Sequence, residues 1–158
     1  RRIQQFLRTD PDNTALFVQR LVLGVVLFPH GAQKLLGWFG GYGYEGTMGF
    51  LTGTMHLPAP IAFLVIMAEL FGALMLIAGL WTRFAAFGIS AVMLGAALLT
   101  HAKVGFFMNW YGAQQGEGFE FHLLALALGV PLVIWGGGRY ALDTALARFR
   151  VRTAPVAA

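Results

Sequence analysis

The sequence predicts an all-α fold: an integral membrane four-helix bundle with the N-terminus and C-terminus both on the cytoplasmic side. Three observations carry this expectation. The 158 residues are 58% hydrophobic and only 11% charged, with a mean hydropathy of +0.68. Soluble domains carry about 25% charged residues, so this chain has too few to cover a water-facing surface. Four apolar runs come close to the ~20 residues that cross a hydrocarbon core of ~30 Å. Finally, an even number of crossings puts Arg1, Arg2, Arg8, Arg20, Arg83, Arg139, Arg148, Arg150 and Arg152 on one side, leaving Lys34 and Lys103 for the other. By the positive-inside rule the arginine side is cytoplasmic.

Residues 1–13 are expected to form an amphipathic N-terminal segment. Ile3, Phe6 and Leu7 have helical spacing, with arginines between them suited to lipid headgroups, and Asp10-Pro11-Asp12 ends the pattern. A basic start before an apolar run also resembles a secretory leader. Here the run is long enough to span, and no small-residue cleavage site follows it cleanly.

The transmembrane domain is expected over residues 14–140. Its first span is Ala15 to Leu36 and its second Pro60 to Leu80; the third is Phe84 to Thr100 and the fourth Phe119 to Trp135. A long glycine- and aromatic-rich loop, Gly37 to Ala59, follows the first span. The tight turn Trp81-Thr82-Arg83 makes the second and third spans antiparallel neighbours. Ala102 to Gly118 is a second aromatic loop. Both long loops then face outward. Ala68 with Gly72, and Gly88 with Ala91, Gly95 and Ala96, form small-residue rows that let helices approach closely in lipid. Residues 141–158 read as a basic amphipathic tail suited to anionic lipid, with Thr153 to Ala158 disordered.

The bilayer is thus the first partner. The net charge of +4 does not point to nucleic acid, because the basic residues sit at the ends of apolar runs. With no cysteine, disulfides, thiolate metal sites and a thiol relay within the chain are excluded.

Function is sought in polar residues that lipid should exclude. Glu69 falls near the middle of the second span, where a carboxylate costs about 2.5–3.5 kcal/mol on insertion scales. It either bonds between helices or serves a ligand, proton or ion. His30 and Lys34 are four residues apart, so they share a helix face, and Pro29 is expected to kink that helix. Lys34 can equally be a snorkelling anchor, and His30 an interhelical hydrogen bond. His101 closes the third span, and Glu120 and His122 open the fourth. Residues two apart on a helix point about 200° apart, so one of Glu120 and His122 faces the bundle and the other a rim. Glu120 also suits a helix N-terminus, and His56 is expected to be solvated.

These groups predict one polar pocket in the outward half of the bundle. Glu69 and His30 are candidate proton-handling, catalytic residues. Lys34, His101, Glu120, His122 and Trp38 are candidate ligand-binding residues. No H-x-x-H or E-x-x-H pair appears, so no metal site is expected. Haem would need His30 paired with His101 or His122 at matching depth. A quinone suits the set better: its ring needs an apolar slot, and its oxygens need His, Glu or Lys partners. Trp38, Phe106, Phe107, Trp110 and Phe121 flank such a site, although they also suit an interfacial aromatic belt.

The pattern Arg20, Gly24, His30-Gly31, Lys34-Leu35, then Ala68-Glu69-Leu70-Phe71-Gly72-Ala73 and Gly79, then Glu120 and Gly136-Gly137-Gly138-Arg139-Tyr140-Ala141-Leu142-Asp143, resembles DoxX-like membrane proteins. These include the DoxX/DoxD small-subunit type associated with thiosulfate:quinone oxidoreductase. The resemblance covers roughly residues 14 to 145. It implies a four-helix membrane fold, respiratory or thiol-linked redox chemistry, and a protein partner that completes the function. His101, His122 and the Phe106–Phe119 loop have no match in that pattern. A multi-pass protein of a bacterial inner membrane is expected, serving as a redox-associated, quinone-linked subunit; catalysis by the chain alone is left open. The alternatives are a non-enzymatic scaffold docking a partner through its outer loops, or a small transporter completed by homo-oligomerisation.

Overall fold

In a computed structural model, residues 9–153 are described, with side chains described through residue 147. The expected amphipathic helix around Ile3, Phe6 and Leu7, the disorder beyond Thr153, and the side chains of Arg148, Arg150 and Arg152 lie outside them. All regular secondary structure among the described residues is helical, with no strand.

Helix α1 spans Thr14–Leu36 and runs on through Pro29. Asn13 caps its start, accepting from Leu16 N at 3.0 Å, and Gly37 ends it with φ 72°, a left-handed conformation open to glycine. The next segment departs from the expected loop. Trp38–Gly40 makes one tight turn, α2 spans Gly43–Gly49, and a wider turn continues it over Phe50–Thr54. Gly43, Gly46 and Gly49 within this helix lower its propensity, so packing of α2 on α1 and α3, and not propensity, accounts for it.

Helix α3, Ala59–Ala78, begins after Pro58 and closes at Gly79, where Gly79 N donates to Leu76 O and Leu80 N to Met75 O. That paired closure is a Schellman motif. Helix α4, Thr82–Leu99, starts two residues earlier than expected because the Asp143 carboxylate accepts from Trp81 N (2.7 Å) and Thr82 N (2.9 Å). A distant residue therefore supplies the cap. Helix α5 spans Glu120–Trp135 and α6 Leu142–Thr153.

By length and composition α1, α3 and the α4 segment through Lys103 can cross a membrane. Helix α5 begins one residue after the expected Phe119 and ends at the expected Trp135; it is apolar but only 16 residues, about 24 Å at 1.5 Å per residue, and so shorter than a ~30 Å hydrocarbon core. Helix α1 packs on α3 and α5, and α4 packs on α3 and α5. Leu23, Leu27, Leu76, Ile89, Met93 and Leu132 form the interior. Phe84, Phe87, Leu98 and Leu124 are more than 60% exposed, whereas Arg20 and Glu69 are buried. Apolar outside with charge inside is the arrangement lipid selects.

Glycines set the α1–α3 spacing. A Cβ on Gly31 would meet Leu70 Cα and N at 2.5 Å, and one on Gly24 would meet Ala73 O at 2.9 Å. These positions are one heptad apart on α1, so they form one contact row. Of the expected rows, Gly88 faces Ala68 and Gly72 faces Ile89, but Gly95 faces open space.

The short-turn end is locked by three polar side chains. Buried Arg20 donates to Leu76 O and Ile77 O (both 2.7 Å), Gly137 O (3.0 Å) and Arg139 O (3.1 Å). Arg83 donates to Val133 O at 2.9 Å and to Ile134 O. Each arginine thus covers carbonyls that a helix end leaves open. The third is Asp143. Gly136, Gly137 and Gly138 thread between these ends, and a Cβ on Gly138 would meet Asn13 O at 2.5 Å.

Replacing Gly31 by Val should lower the thermal unfolding midpoint in detergent, because overpacking against backbone costs about 1–3 kcal/mol or more. Gly95→Ala should leave it unchanged or raise it slightly. Circular dichroism melts check both; equal stability of Gly31→Val would contradict the close crossing.

Candidate functional site

Most of the ionisable residues singled out above gather at the end that carries the two long loops. The close crossing at Gly31 brings α1 and α3 together just where Lys34 and Glu69 lie. Lys34 Nζ donates to Glu69 Oε2, forming an ion pair with the Glu69 side chain 4% exposed and that of Lys34 33% exposed. The carboxylate is therefore inside and the ammonium at the rim. This is the compensation a charge needs on a helix otherwise as apolar as α3.

His122 is buried, and its ring lies 4.2 Å from that of His101 and 5.6 Å from that of Phe121. Its Nδ1 is buried with no hydrogen-bond partner. His122 is within electrostatic range of His101, Lys34 and His30, and His30 within range of Lys34 and Glu69. His30 itself is exposed on α1, its ring 5.9 Å from Phe121.

The second loop is organised by its own polar groups. Glu120 Oε1 accepts from Met108 N and Trp110 Nε1, both at 2.8 Å, and Glu117 Oε2 accepts from Asn109 N at 2.6 Å. Asn109 and Gln114 exchange side-chain and backbone bonds at 3.0–3.1 Å. Backbone bonds from Gly118, Phe119 and Glu120 to Phe107, Gly105 and Phe106 clamp the loop's two strands of chain together. His101 Nδ1 donates to Glu117 O at 2.7 Å and ties the end of α4 to this loop.

The helical arithmetic for Glu120 and His122 thus resolves: His122 faces inward, and Glu120 faces the loop it holds. Trp38 is exposed, with its ring against Phe39, and does not join the ion pair. His56 is exposed on the first loop. Stacking of His101 on His122 escaped the sequence reading, although one residue closes α4 and the other opens α5, at adjoining ends of consecutive helices. Among the described residues no group of three or more His, Cys, Asp or Glu gathers as metal ligands. A cleft of about 340 Å³ lies at the opposite end, lined by Pro11, Asp12, Arg139, Tyr140, Leu142 and Thr144 among others.

The family model for DoxX matches residues 15–102, more than half of the chain. The chain belongs to the DoxX family. The matched segment runs from α1 to His101, so the Lys34–Glu69 pair lies within it. Glu120, His122 and the second long loop lie beyond it, and the reach to residue 145 expected from sequence exceeds the match. A relative from Bacillus subtilis (strain 168), carrying the name "Putative oxidoreductase CatD", is 29% identical over 124 residues, covering 78% of this DoxX chain and 81% of its own. No solved structure matches. Family and helices together describe a multi-pass membrane protein.

Removing one partner of the pair should cost more than removing both. Breaking a buried pair costs about 3–5 kcal/mol, reduced here to roughly 1–3 kcal/mol because Lys34 is a third exposed. Lys34→Met should therefore melt well below the parent, and Lys34→Met with Glu69→Leu should recover most of the loss. Additive losses in the double variant would show that the two side chains do not interact.

Proposed function

We propose that this DoxX-family protein is a redox-associated, quinone-linked subunit of a bacterial inner membrane, binding a quinol at the long-loop end of its helices. In this reading α5 is the fourth crossing, the four helices form one bundle, and both termini face the cytoplasm. The arginine-rich end supports that orientation, with Lys34 and Lys103 left for the other side. The long-loop end then faces the periplasm or exterior.

The observation that carries the functional reading is the buried ion pair lying within reach of His30 and, through Lys34, of the stacked His101 and His122. Replacing a buried ion pair by apolar residues of similar size is often neutral or stabilising, so packing alone is a weak reason to keep one. Ionisable side chains inside a membrane mark substrate pathways and proton relays in many membrane proteins. In this reading Lys34 and Glu69 form a neutral unit at rest, and a proton taken by Glu69 frees Lys34 to donate to a head-group oxygen. His30, exposed beside Phe121, passes protons between the mouth and Glu69. Glu120 shapes the loop over the site, and Trp38 belongs to its aromatic rim.

The orphaned ring nitrogen of His122, among aromatic neighbours, fits a flat molecule with a hydroxyl. A quinol would supply the redox chemistry that this cysteine-free chain has no thiol to perform. The printed name of the Bacillus subtilis relative is in keeping with a redox role. A protein partner in a redox complex would exchange electrons with the quinol, and self-association remains compatible with this reading.

A second reading is an accessory subunit that docks a partner through its outer loops. It is favoured by the 75% exposure of Trp110 and 96% exposure of Tyr111 on a loop otherwise tightly bonded.

Purified protein should release bound quinone on solvent extraction, and a short-chain quinol analogue should quench its tryptophan fluorescence saturably. Glu69→Gln, which removes a charged hydrogen-bonding group, should weaken that binding about tenfold or more. Absence of bound quinone together with no saturable quenching would favour the docking reading.

A further inference from the structure

Five buried side-chain atoms have no hydrogen-bond partner among the described residues: Gln19 Oε1, Thr82 Oγ1, Ser90 Oγ, His122 Nδ1 and Thr144 Oγ1. An unpaired buried polar atom costs about 1–3 kcal/mol, so each calls for an account. Ser90 lies inside α4, where its hydroxyl can rotate toward the carbonyl of Ala86 one turn back. Thr82 and Thr144 lie in the first turns of α4 and α6, at the short-turn end away from this site. Gln19 has a flexible side chain near the short-turn end. His122 differs, because its ring nitrogen is fixed by a ring packed between His101 and Phe121 and cannot turn to a new partner without repacking both.

Three other polar side chains at this end are already engaged. Glu69 accepts from Lys34, Glu120 from Met108 N and Trp110 Nε1, and His101 Nδ1 donates to Glu117 O. His122 lies 94% within the protein by its 6% exposure, yet its Nδ1 is left open. At this end the buried ring nitrogen without a partner belongs to His122, not to a group beside Glu69.

We propose that His122 Nδ1 accepts the hydroxyl proton of a bound quinol in a hydrogen bond, making His122 the residue that recognises the head group. The proposal rests on the quinone-linked reading above and names the contact within it. A neutral imidazole presents one bare nitrogen as an acceptor, and a quinol hydroxyl is the matching donor. No covalent step is involved: the ligand satisfies an atom that the protein leaves without a partner. His101 is a positioning residue here, holding the His122 ring while itself anchored to Glu117 O. Lys34, within electrostatic range of His122, is then placed to donate to a second oxygen of the same head group.

The test uses the full-length protein in detergent with a short-chain benzoquinol and with its dimethyl ether, which has no hydroxyl to donate. His122→Asn keeps an acceptor oxygen near the position of Nδ1, and His122→Leu removes it. Fluorescence titration should show the parent and His122→Asn binding the quinol within about threefold of each other. His122→Leu should bind up to about tenfold more weakly, the effect of one hydrogen bond. The ether should bind the parent and His122→Leu alike. In the parent carrying ¹⁵N-histidine, the His122 Nδ1 resonance should shift on quinol addition and stay in place with the ether. If the parent binds quinol but His122→Leu binds it equally well and the Nδ1 resonance is unmoved, this assignment is overturned while the quinone-linked reading stands. If the parent itself binds no quinol, both fail. The ¹⁵N measurement on the parent decides the matter even if His122→Leu does not fold.

Discussion

The ion pair between Lys34 and Glu69 is the constraint around which the long-loop end of this protein is arranged. An acid on the buried face of α3 has no solvent to hold its charge, so a cation has to come from a neighbouring helix. Lys34 can supply it because α1 passes very close to α3, and α1 passes that close because residue 31 has no side chain. A glycine, a lysine and a glutamate on two helices are therefore one device. Changing the spacing would separate the charges, and removing a charge would leave the other stranded in an apolar layer.

The two ends of the molecule solve the same problem differently. At the short-turn end three charged side chains are spent on structure: Arg20 closes α3, Arg83 closes α5, and Asp143 opens α4. The three-glycine run lets the chain pass between helix ends that these side chains hold. At the long-loop end the charge pair reaches the rim, the histidines stack, and one ring nitrogen stays open.

Much of the fold was legible from residues alone, since apolar length and glycine punctuation are local signals. The bounds of α1, α3 and α4 follow Asn13, Gly37, Pro58 and Gly79 closely. Helix α2 was not legible, because its glycines argue against a helix that tertiary packing nonetheless forms. Nor was the cap of α4, because Asp143 lies about sixty positions from the amides it covers. Arg20 reads from sequence as a topology signal, and its four carbonyl partners depend on where three separate segments end. In the site, Glu69 and Lys34 stood out because lipid should reject them. The open nitrogen of His122 could not be read, since a missing partner shows only once all neighbours are in place.

Membership of the DoxX family covers α1 through His101, and so includes the ion pair but not the ring that the ligand is proposed to touch. The paired charges would then be the shared frame, and the second loop with α5 the part that adapts the site. A charge-exchange experiment addresses the frame directly. Lys34→Glu and Glu69→Lys, made singly, should each reduce the yield of folded, monodisperse membrane protein sharply, and combining them should restore it toward the parent level. If the combined exchange folds no better than the worse single one, or if the single reversals fold normally, the two side chains do not support each other and the account of this site is wrong.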